Sequence, residues 1–280
     1  MVNQILHTLV NEHYGNEGLL DRILAAAHDD GVVLNEARSH DFSPVAEFHI
    51  GGRGSTIELA KMAQLRPGDK VLDIGSGLGG PARTLVEEFG IFVEGIDLTH
   101  EFCVVANELT RMTGLAGQAN FSQGDALNLP SDTNSYDVVW TQQSCMNIED
   151  KNRMLSEVHR VLKPGGTYVF HEVLAGTEAS AIQFPVPWAR ADNMSFLWTQ
   201  EAIRNSILKI GLIEQVWKNA TCKYIEEYRA LASKTGEVSQ RPKLGIHLML
   251  GEQSAVMRKN VVENLSQGLI AIYQGIFKKV

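Results

Sequence analysis

Residues 71–80 read VLDIGSGLGG, and this stretch decides the fold of the chain. A short apolar run leads into a loop rich in glycine. The segment PARTLVEEFG (81–90) follows, with a proline in its first turn and a glycine at its end. This order predicts a buried strand, a loop and a helix. Glycines let the loop backbone approach a ligand closely, and the start of the helix offers free N–H groups. The stretch therefore predicts a ligand site at the end of the first strand of an α/β core.

Strand-like and helix-like segments continue to alternate on the C-terminal side of this loop. The predicted strands are 70–74, 91–98, 119–126, 136–142, 167–174 and 212–220. The predicted helices are 81–90, 101–114, 150–162 and 201–211. Short strands and helices in alternation predict an α/β fold in which helices cover both faces of a doubly wound, mostly parallel sheet.

The pattern changes on either side of this core. We expect a helical N-terminal cap with a segment that leads into the core over 1–64, the core over 65–220, and a helical C-terminal extension over 221–280. Within the core, residues 177–198 are rich in proline and aromatic residues, which predicts an insert that covers the substrate. The extension ends in the amphipathic run LSQGLIAIYQGIF (265–277). We expect this run to be helical and to pack on the core or in a homodimer contact.

Composition and charge exclude several classes of function. The chain has 280 residues and a formal net charge of −8, whereas a dedicated nucleic-acid binder is usually basic. Its cysteines, Cys103, Cys145 and Cys222, are scattered without a CxxC pair, so we expect no disulfide framework and no metal site. No apolar run reaches the roughly 18 residues of a membrane span, and the N-terminus lacks the pattern of a signal peptide. We therefore expect a cytoplasmic protein that acts on a small molecule.

The glycine loop is compatible with two kinds of ligand. Gly75, Gly77 and Gly80 satisfy the GxGxxG pattern of dinucleotide-binding dehydrogenases, and Asp97 ends the second strand where a ribose-binding carboxylate would lie. Asp73 precedes the loop, however, and its carboxylate would repel a pyrophosphate but attract the ammonium of an amino-acid moiety. Asp73 therefore favours a ligand with an amino-acid end over a dinucleotide.

Four motifs in order give a family resemblance over residues 65–175: VLDIGSGLGG, VEGIDLT, GDALNLP with YDVVWTQ, and RVLKPGG. The ordered set resembles the class I S-adenosylmethionine-dependent methyltransferases. The resemblance implies a Rossmann-like fold with a seven-stranded sheet, S-adenosyl-L-methionine as the cofactor and S-adenosyl-L-homocysteine as its product. The positions that match the family's cofactor site are Asp73, Gly75, Ser76, Gly77, Asp97, Leu98, Asp125, Ala126 and Gln142.

The resemblance also implies a role for these positions. Asp73 and the loop glycines would line the methionine end of the cofactor, and Asp97 would accept hydrogen bonds from both ribose hydroxyls. Leu98 would pack on the adenine, and Asp125 would accept a hydrogen bond from its exocyclic amine. Gln142, at the end of the fourth strand, would lie near the methionine or the methyl group.

The segment 48–83 is similar to the corresponding part of the glycine, sarcosine and dimethylglycine N-methyltransferases and of the phosphoethanolamine methyltransferases. Those families tend to carry an acidic residue and then a histidine after the fourth strand, where this chain has Gln143 and Asn147. Amides orient a substrate but take no proton at neutral pH. We therefore expect either a small amine as the acceptor, or O- or C-methylation of a secondary metabolite, quinone or isoprenoid-like molecule. A noncatalytic cofactor-binding regulator is a third hypothesis.

Candidate residues for the acceptor side come from three parts of the chain. The candidate catalytic residues are His49, Gln143, Asn147 and Tyr14. The candidate substrate-binding residues are Trp188, Arg190, His171 and Phe184. Aromatic faces hold a cationic amine or stack on a flat apolar acceptor, and an arginine pairs with a carboxylate or phosphate.

Overall fold

The computed structural model describes Val10, His13, Tyr14 and residues 18–177, 179–234 and 242–280. The apolar positions Ile5 and Leu9, which supported the predicted helical cap, lie outside the described residues, as does residue 178 of the predicted insert. Among the described residues, no helix is both long and apolar enough to span a membrane.

A seven-stranded sheet forms the centre of the molecule, in the order β3-β2-β1-β4-β5-β7-β6. The strands in chain order are β1 (Lys70–Ile74), β2 (Phe92–Asp97), β3 (Ala119–Gln123), β4 (Tyr136–Gln142), β5 (Leu162–Ala175), β6 (Leu212–Asn219) and β7 (Ile270–Lys279). Strands β1 to β5 pair in parallel, whereas β7 is antiparallel to both β5 and β6. The predicted mostly parallel, seven-stranded α/β fold is confirmed.

Helices cover both faces of the sheet. Further helices precede β1 and lie between β6 and β7 in the sequence. In chain order they are α1 (Leu19–Asp29), α2 (Ser43–Ala46), α3 (Gly52–Ala63), α4 (Gly80–Phe89), α5 (His100–Met112), α6 (Lys151–Val161), α7 (Gln200–Lys209), α8 (Thr221–Lys234), α9 (His247–Leu250) and α10 (Ser254–Ser266). One buried apolar cluster contains Leu155 of α6 and Ile203 of α7, and another contains Leu59 of α3 and Leu85 of α4. The core therefore lies on both faces of the sheet, as the alternation of short elements predicted.

The prediction of a helical C-terminal extension is right for α8 to α10 and wrong for the last ten residues. Residues 270–279 form β7, which lies between β5 and β6 and hydrogen-bonds to both. The sequence misleads because Leu265, Leu269, Ile272 and Ile276 also fit helical spacing. Gly268, with a φ of 69°, ends the helical path, and β-branched isoleucines then favour a strand. The run predicted to pack on the core or on a second subunit is thus part of the chain's own sheet.

The run Lys163 to Gly166 lies inside β5, although the sequence predicts a turn there. The register between β4 and β5 shifts at this point, since Tyr136 pairs with Leu162 but Val138 pairs with Thr167. Gly165 has a φ of 76°, which a glycine adopts without strain. The irregularity is at the amino end of the parallel strands, away from the glycine loop.

Candidate functional site

The glycine loop runs from the carboxyl end of β1 to the start of α4. Gly75, Gly77 and Gly79 have φ values of 75°, 53° and 71°, a backbone conformation that side chains disfavour. A Cβ atom on Gly75 would lie 2.2 Å from the Cβ of Ser144, which follows β4. The loop therefore needs glycine both for its backbone path and for its packing against the segment after β4.

Asp97 ends β2 and holds the glycine loop in place. Its Oδ2 accepts a hydrogen bond from the Gly77 N–H at 2.8 Å, and its Oδ1 accepts one from the Thr99 N–H at 2.9 Å. Burial raises the pKa of Asp97, and the two backbone donors oppose that shift. Each carboxylate oxygen has a second lone pair, so the group retains the capacity to accept two further hydrogen bonds.

A smaller cavity of about 150 Å³ opens beside Asp97. Six of the predicted cofactor positions line it: Gly75, Gly77, Asp97, Leu98, Asp125 and Ala126. Two others, Ser76 and Gln142, line a neighbouring cavity. The structure therefore brings these predicted cofactor positions together at the carboxyl ends of β1, β2, β3 and β4, where ligands bind in open α/β sheets.

Asp73 is the remaining predicted cofactor residue, and it is only 2% exposed. Its Oδ2 has no hydrogen-bond partner among the described residues, and neither has the Oγ of Ser76. Burial raises the pKa of Asp73 to about 8, and the nearby charges of Asp97 and Glu47 add to the shift. A buried, unpartnered carboxylate is costly unless a ligand supplies a cation. Asp73 itself lines neither cavity, whereas Ile74 lines the smaller one and Gly75 lines both. The ammonium of an amino-acid moiety would supply such a cation, and Asp97 and the smaller cavity would hold the ribose and adenine of S-adenosylmethionine.

A larger cavity of about 540 Å³ adjoins the smaller one and shares Tyr14, Phe48 and Gly75 with it. Its walls are mainly apolar and aromatic, and they include Tyr14, Phe48, Ile50, Met146, Trp188, Tyr224, Tyr228, Met249 and Val261. A cluster of polar residues also lines it, comprising Glu47, His49, Gln142 and Gln143. The cavity therefore combines apolar walls with a small polar region next to the cofactor residues.

The polar region contains a buried carboxylate–imidazole pair. Glu47 Oε2 lies 2.8 Å from His49 Nε2, and its Oε1 accepts a hydrogen bond from the Thr84 hydroxyl at 2.5 Å. Burial acts to raise the pKa of Glu47, but the hydrogen bond and charge of His49, with the hydroxyls of Thr84 and Thr56, leave it below its usual value. On its other side, His49 Nδ1 lies 3.2 Å from Gln142 Nε2. His49 was predicted as a site residue, whereas Glu47 was missed.

Gln143 and Asn147 hold chain segments in place with their amide groups. Gln143 Oε1 accepts a hydrogen bond from the Ile50 N–H at 2.9 Å. Asn147 Nδ2 donates to the carbonyl oxygens of Trp188 at 2.7 Å and of Met194 at 2.8 Å. Their amides bind backbone groups of the protein, and Gln143 lines both cavities while Asn147 lines the smaller one, so the catalytic role of these two residues stays a prediction.

Tyr14, the fourth candidate catalytic residue, donates a hydrogen bond from its hydroxyl to Asn147 Oδ1 at 3.3 Å. Its ring packs edge-on against Phe48 and is tilted against Phe102, and it lines both cavities. Burial, with the charge of Asp97, raises the pKa of the Tyr14 hydroxyl. Tyr14 therefore lies between the two cavities as a neutral, buried ring.

Of the four predicted substrate-binding residues, the structure brings only Trp188 to the larger cavity. Arg190 is exposed, and neither it nor Phe184 or His171 lines either cavity. His171 is fully buried and stacks on Tyr224, and burial lowers its pKa well below the usual value. Their substrate-binding role stays a prediction that the position of these side chains does not support, since the sequence shows proximity along the chain but not the direction of a side chain.

The residues missed from the sequence lie mostly in the C-terminal extension. Tyr224 and Tyr228 of α8, Met249 of α9, and Arg258 and Val261 of α10 all line the larger cavity. The aromatic and apolar spacing of this extension was visible in the sequence, but nothing local indicated that it folds over the site. Glu47 had a clearer signal, since it stands two residues before His49.

Residues 72–170 match a family model described as a methyltransferase domain. Methyltransferase GfsG of Streptomyces halstedii is 32% identical over 47% of this chain and 46% of its own length. The glycine/sarcosine/dimethylglycine N-methyltransferase of Actinopolyspora halophila is 35% identical over 49% of this chain and 24% of its own length. The chloroplastic tocopherol O-methyltransferase of Arabidopsis thaliana is 36% identical over 39% of this chain and 33% of its own length. This chain thus spans less than half the length of each of these relatives.

Solved structures share the fold over more of the chain. Geranyl diphosphate C-methyltransferase of Streptomyces coelicolor, at 18% identity, covers 98% of both chains with a TM-score of 0.70. A structure described as a putative sarcosine dimethylglycine methyltransferase of Galdieria sulphuraria, at 22% identity, covers 80% of this chain and 85% of its own with a TM-score of 0.65. The predicted Rossmann-like methyltransferase fold is confirmed, and the dehydrogenase interpretation of the glycine loop loses its support.

Proposed function

From the premise that residues 72–170 form an S-adenosylmethionine-dependent methyltransferase domain, we propose that the whole chain methylates a medium-sized, mainly apolar small molecule. The observation that carries the proposal is the mainly apolar and aromatic lining of the larger cavity. Its volume of about 540 Å³ also takes in Gly75, Ser76 and Gly77 of the glycine loop, so the methionine end of the cofactor would share it with the acceptor. Sites for drug-sized molecules measure roughly 300–1,000 Å³ and are lined mostly by apolar and aromatic side chains. Glycine or sarcosine would fill only a small part of this space.

The residues of the chain supply binding and orientation. The buried carboxylate of Asp73 pairs with the ammonium of the cofactor, and Asp97 holds the glycine loop while accepting hydrogen bonds from the ribose. When bound, S-adenosylmethionine supplies a methyl group already activated on a sulfonium. The protein therefore mainly positions the acceptor and excludes water. Rings from Tyr14 and Phe48, which line both cavities, and from Trp188, which lines the larger one, serve that purpose.

A small amine such as glycine, sarcosine or dimethylglycine is the second candidate acceptor. Glu47 supplies negative charge in the larger cavity, and aromatic rings of Tyr14, Trp188 and Tyr224 also line it. Carboxylates and aromatic faces both attract a cationic amine. The relative from Actinopolyspora halophila acts, by its name, on such amines.

Transfer of a methyl label tests the proposal. The protein is incubated with methyl-labelled S-adenosylmethionine and, in separate reactions, with dimethylglycine, phosphoethanolamine and an organic extract of host metabolites. We expect label on a component of the organic extract, identified by mass spectrometry. Label on dimethylglycine alone would replace the proposal with the small-amine function. Absence of label from every reaction, with cofactor binding shown by calorimetry, would favour the noncatalytic regulator.

A matched pair of variants tests whether the larger cavity holds the acceptor. Met249→Trp places a larger ring in the cavity wall, and Leu208→Trp makes the same kind of change on an exposed position of α7. We expect Met249→Trp to raise KM for the labelled acceptor without weakening cofactor binding, and Leu208→Trp to change neither. Equal KM values for the two variants would contradict the placement of the acceptor.

A further inference from the structure

The hydrogen bonds around His49 fix where its proton lies, beginning at Trp140. Trp140 is fully buried in β4, and its Nε1–H donates to Gln142 Oε1 at 3.0 Å. An indole N–H is a donor only, so the oxygen of the Gln142 amide must face Trp140. The Thr56 hydroxyl, which also contacts Glu47 Oε2 at 3.2 Å, lies 3.3 Å from this oxygen. The amide nitrogen of Gln142 is therefore directed to the other side.

That other side is occupied by His49. Gln142 Nε2 lies 3.2 Å from His49 Nδ1. An amide nitrogen is a donor only, so this contact is a hydrogen bond when Nδ1 carries the lone pair and the ring proton of a neutral His49 lies on Nε2. Nε2 is the atom that lies 2.8 Å from Glu47 Oε2. The Trp140, Gln142, His49 and Glu47 contacts thus specify a single tautomer.

The Gln142 donor that faces the Nδ1 lone pair of His49 can also be replaced. Gln142 Nε2 has two other acceptors within reach, Ser55 Oγ at 3.2 Å and His171 Nδ1 at 3.3 Å. The two N–H groups of the amide therefore stay satisfied if another donor takes Nδ1. Once Nδ1 is protonated, Ser55 Oγ at 3.3 Å and the Ile50 carbonyl at 3.4 Å are present as acceptors. The contact from Gln142 Nε2 at 3.2 Å orients the His49 ring and is long enough for a substrate donor to replace it at Nδ1.

We propose that His49 Nδ1 takes the proton of the acceptor's nucleophile, with Glu47 and Gln142 as positioning residues; this rests on the proposed methyltransferase function. The nucleophile, a hydroxyl or an amine that carries hydrogen, forms a bond to the methyl carbon. The carbon–sulfur bond breaks, and its electron pair stays on sulfur. The proton passes to Nδ1, and the Glu47 carboxylate stabilises the imidazolium through Nε2–H. The proton leaves later to water, so the products are the methylated acceptor, the thioether and a proton.

This assignment makes Glu47 and His49 the counterpart of the acid–histidine pair that the resemblance places after the fourth strand. Of the two amides that stand there instead, Gln143 holds Ile50 next to His49, and Gln142, the residue before it, contacts His49. The acceptor class narrows accordingly. The acceptor is then an apolar molecule that carries hydrogen on the oxygen or nitrogen that is methylated. Alkenes and tertiary amines are excluded.

The first test measures the tautomer without any reaction. Nitrogen-15 NMR of the cofactor-free chain, assigned with His49→Gln, should show the His49 ring protonated on Nε2 and bare on Nδ1. Gln142→Glu turns the donor facing Nδ1 into an acceptor, so Nδ1 should become protonated. Gln215→Glu adds the same charge on the exposed edge strand β6 and should leave the His49 signals unchanged. Protonation of Nδ1 alone in the unaltered chain would overturn the proposal.

The second test uses the acceptor identified by label transfer. We expect Gln142→Glu, Glu47→Gln and His49→Ala each to lower kcat, the last by about 10²–10⁴-fold, with little change in KM. Added imidazole should partly restore turnover by His49→Ala, which a purely structural role would not allow. Turnover by all three variants at the kcat of the unaltered chain, or no rescue by imidazole in a folded His49→Ala, would overturn the proposal. Failure of the proposed function is distinct, because then the unaltered chain would also transfer no label.

Discussion

Cofactor affinity should depend steeply on pH, because Asp73 must be ionised to pair with an ammonium. Its pKa is raised to about 8, mainly by burial, and its Oδ2 has no partner among the described residues. At pH 7, about one unit below this pKa, the carboxyl is mostly protonated. Ionising it on cofactor binding costs about 1.4 kcal/mol per unit, or tenfold in affinity. A carboxyl with a pKa of about 8 is mostly protonated at pH 7 and half ionised at pH 8, so we expect S-adenosylhomocysteine to bind about fivefold more tightly at pH 8 than at pH 7, with release of about one proton at pH 7.

Asp73→Asn removes both the charge and its titration. Loss of a hydrogen bond to a charged group should weaken binding by about 1.5–3 kcal/mol above pH 8, and the slope between pH 6 and 8 should disappear. The same substitution should stabilise the cofactor-free chain at alkaline pH. A carboxyl whose pKa is higher in the folded state lowers the free energy of unfolding once the pH exceeds its unfolded-state pKa. This destabilisation is complete only above about pH 8. Near pH 3 the variant and the unaltered chain should unfold with the same free energy.

Isothermal titration calorimetry in buffers of different ionisation enthalpy measures both the affinity and the protons released. Asp97→Asn is the matched control, since Asp97 is also buried with a raised pKa but has two backbone donors. That variant should bind more weakly and keep a pH slope, displaced to lower pH because the charge of Asp97 no longer adds to the raised pKa of Asp73. A slope that persists in Asp73→Asn, or an affinity of the unaltered chain that is constant between pH 6 and 8, would refute the pairing of Asp73 with the ammonium.

Three further outcomes are expected. Gly75→Ala should abolish cofactor binding and cost clearly more stability than Gly165→Ala, measured by urea unfolding. Both glycines have a φ near 75°, but only the Cβ at position 75 meets another atom, at 2.2 Å from Ser144 Cβ. Asp97→Ala should weaken cofactor binding by about 1–3 kcal/mol in calorimetry, and unchanged affinity would show that the ribose assignment is wrong. Asn147→Ala should raise KM for the acceptor more than it weakens cofactor binding, because its amide holds the insert by two carbonyls; equal effects on both would contradict this.

The sequence predicted an element well where its residues fit the strand pattern or the helix pattern but not both. The short strands β1 to β4 and β6, each a few residues of apolar or β-branched character between turn residues, were placed within about three residues at each end. Residues 270–279 failed because their isoleucines satisfy the helical and the strand pattern at once. Only the partners decide such a case, since β7 gains hydrogen bonds to β5 and β6 that a helix there would forgo.

The cofactor side of the site was more predictable than the acceptor side for a physical reason. Asp73, Gly75 and Asp97 lie at strand ends and in the loop between them, so their positions follow from the sheet. The acceptor side is assembled from segments far apart in the chain, such as Glu47, Trp188 and Met249. Whether a given side chain turns toward the cavity depends on tertiary packing, which is why Trp188 was placed correctly and Arg190 was not.

The segment with Ala46 and Glu47 packs on helix α4, and this packing joins the cofactor side of the site to the acceptor side. Gly80 allows the approach, since a Cβ atom there would lie 2.3 Å from the Ala46 carbonyl oxygen. This contact brings Glu47 to Thr84 of α4 and places its charge near Asp73, where it adds to the effect of burial on the pKa of Asp73. An ammonium bound at Asp73 offsets that repulsion, and it therefore also favours the ionised Glu47 that an imidazolium at His49 requires. Cofactor binding should thus prepare the proton acceptor, so that an acceptor bound without cofactor meets a less competent base.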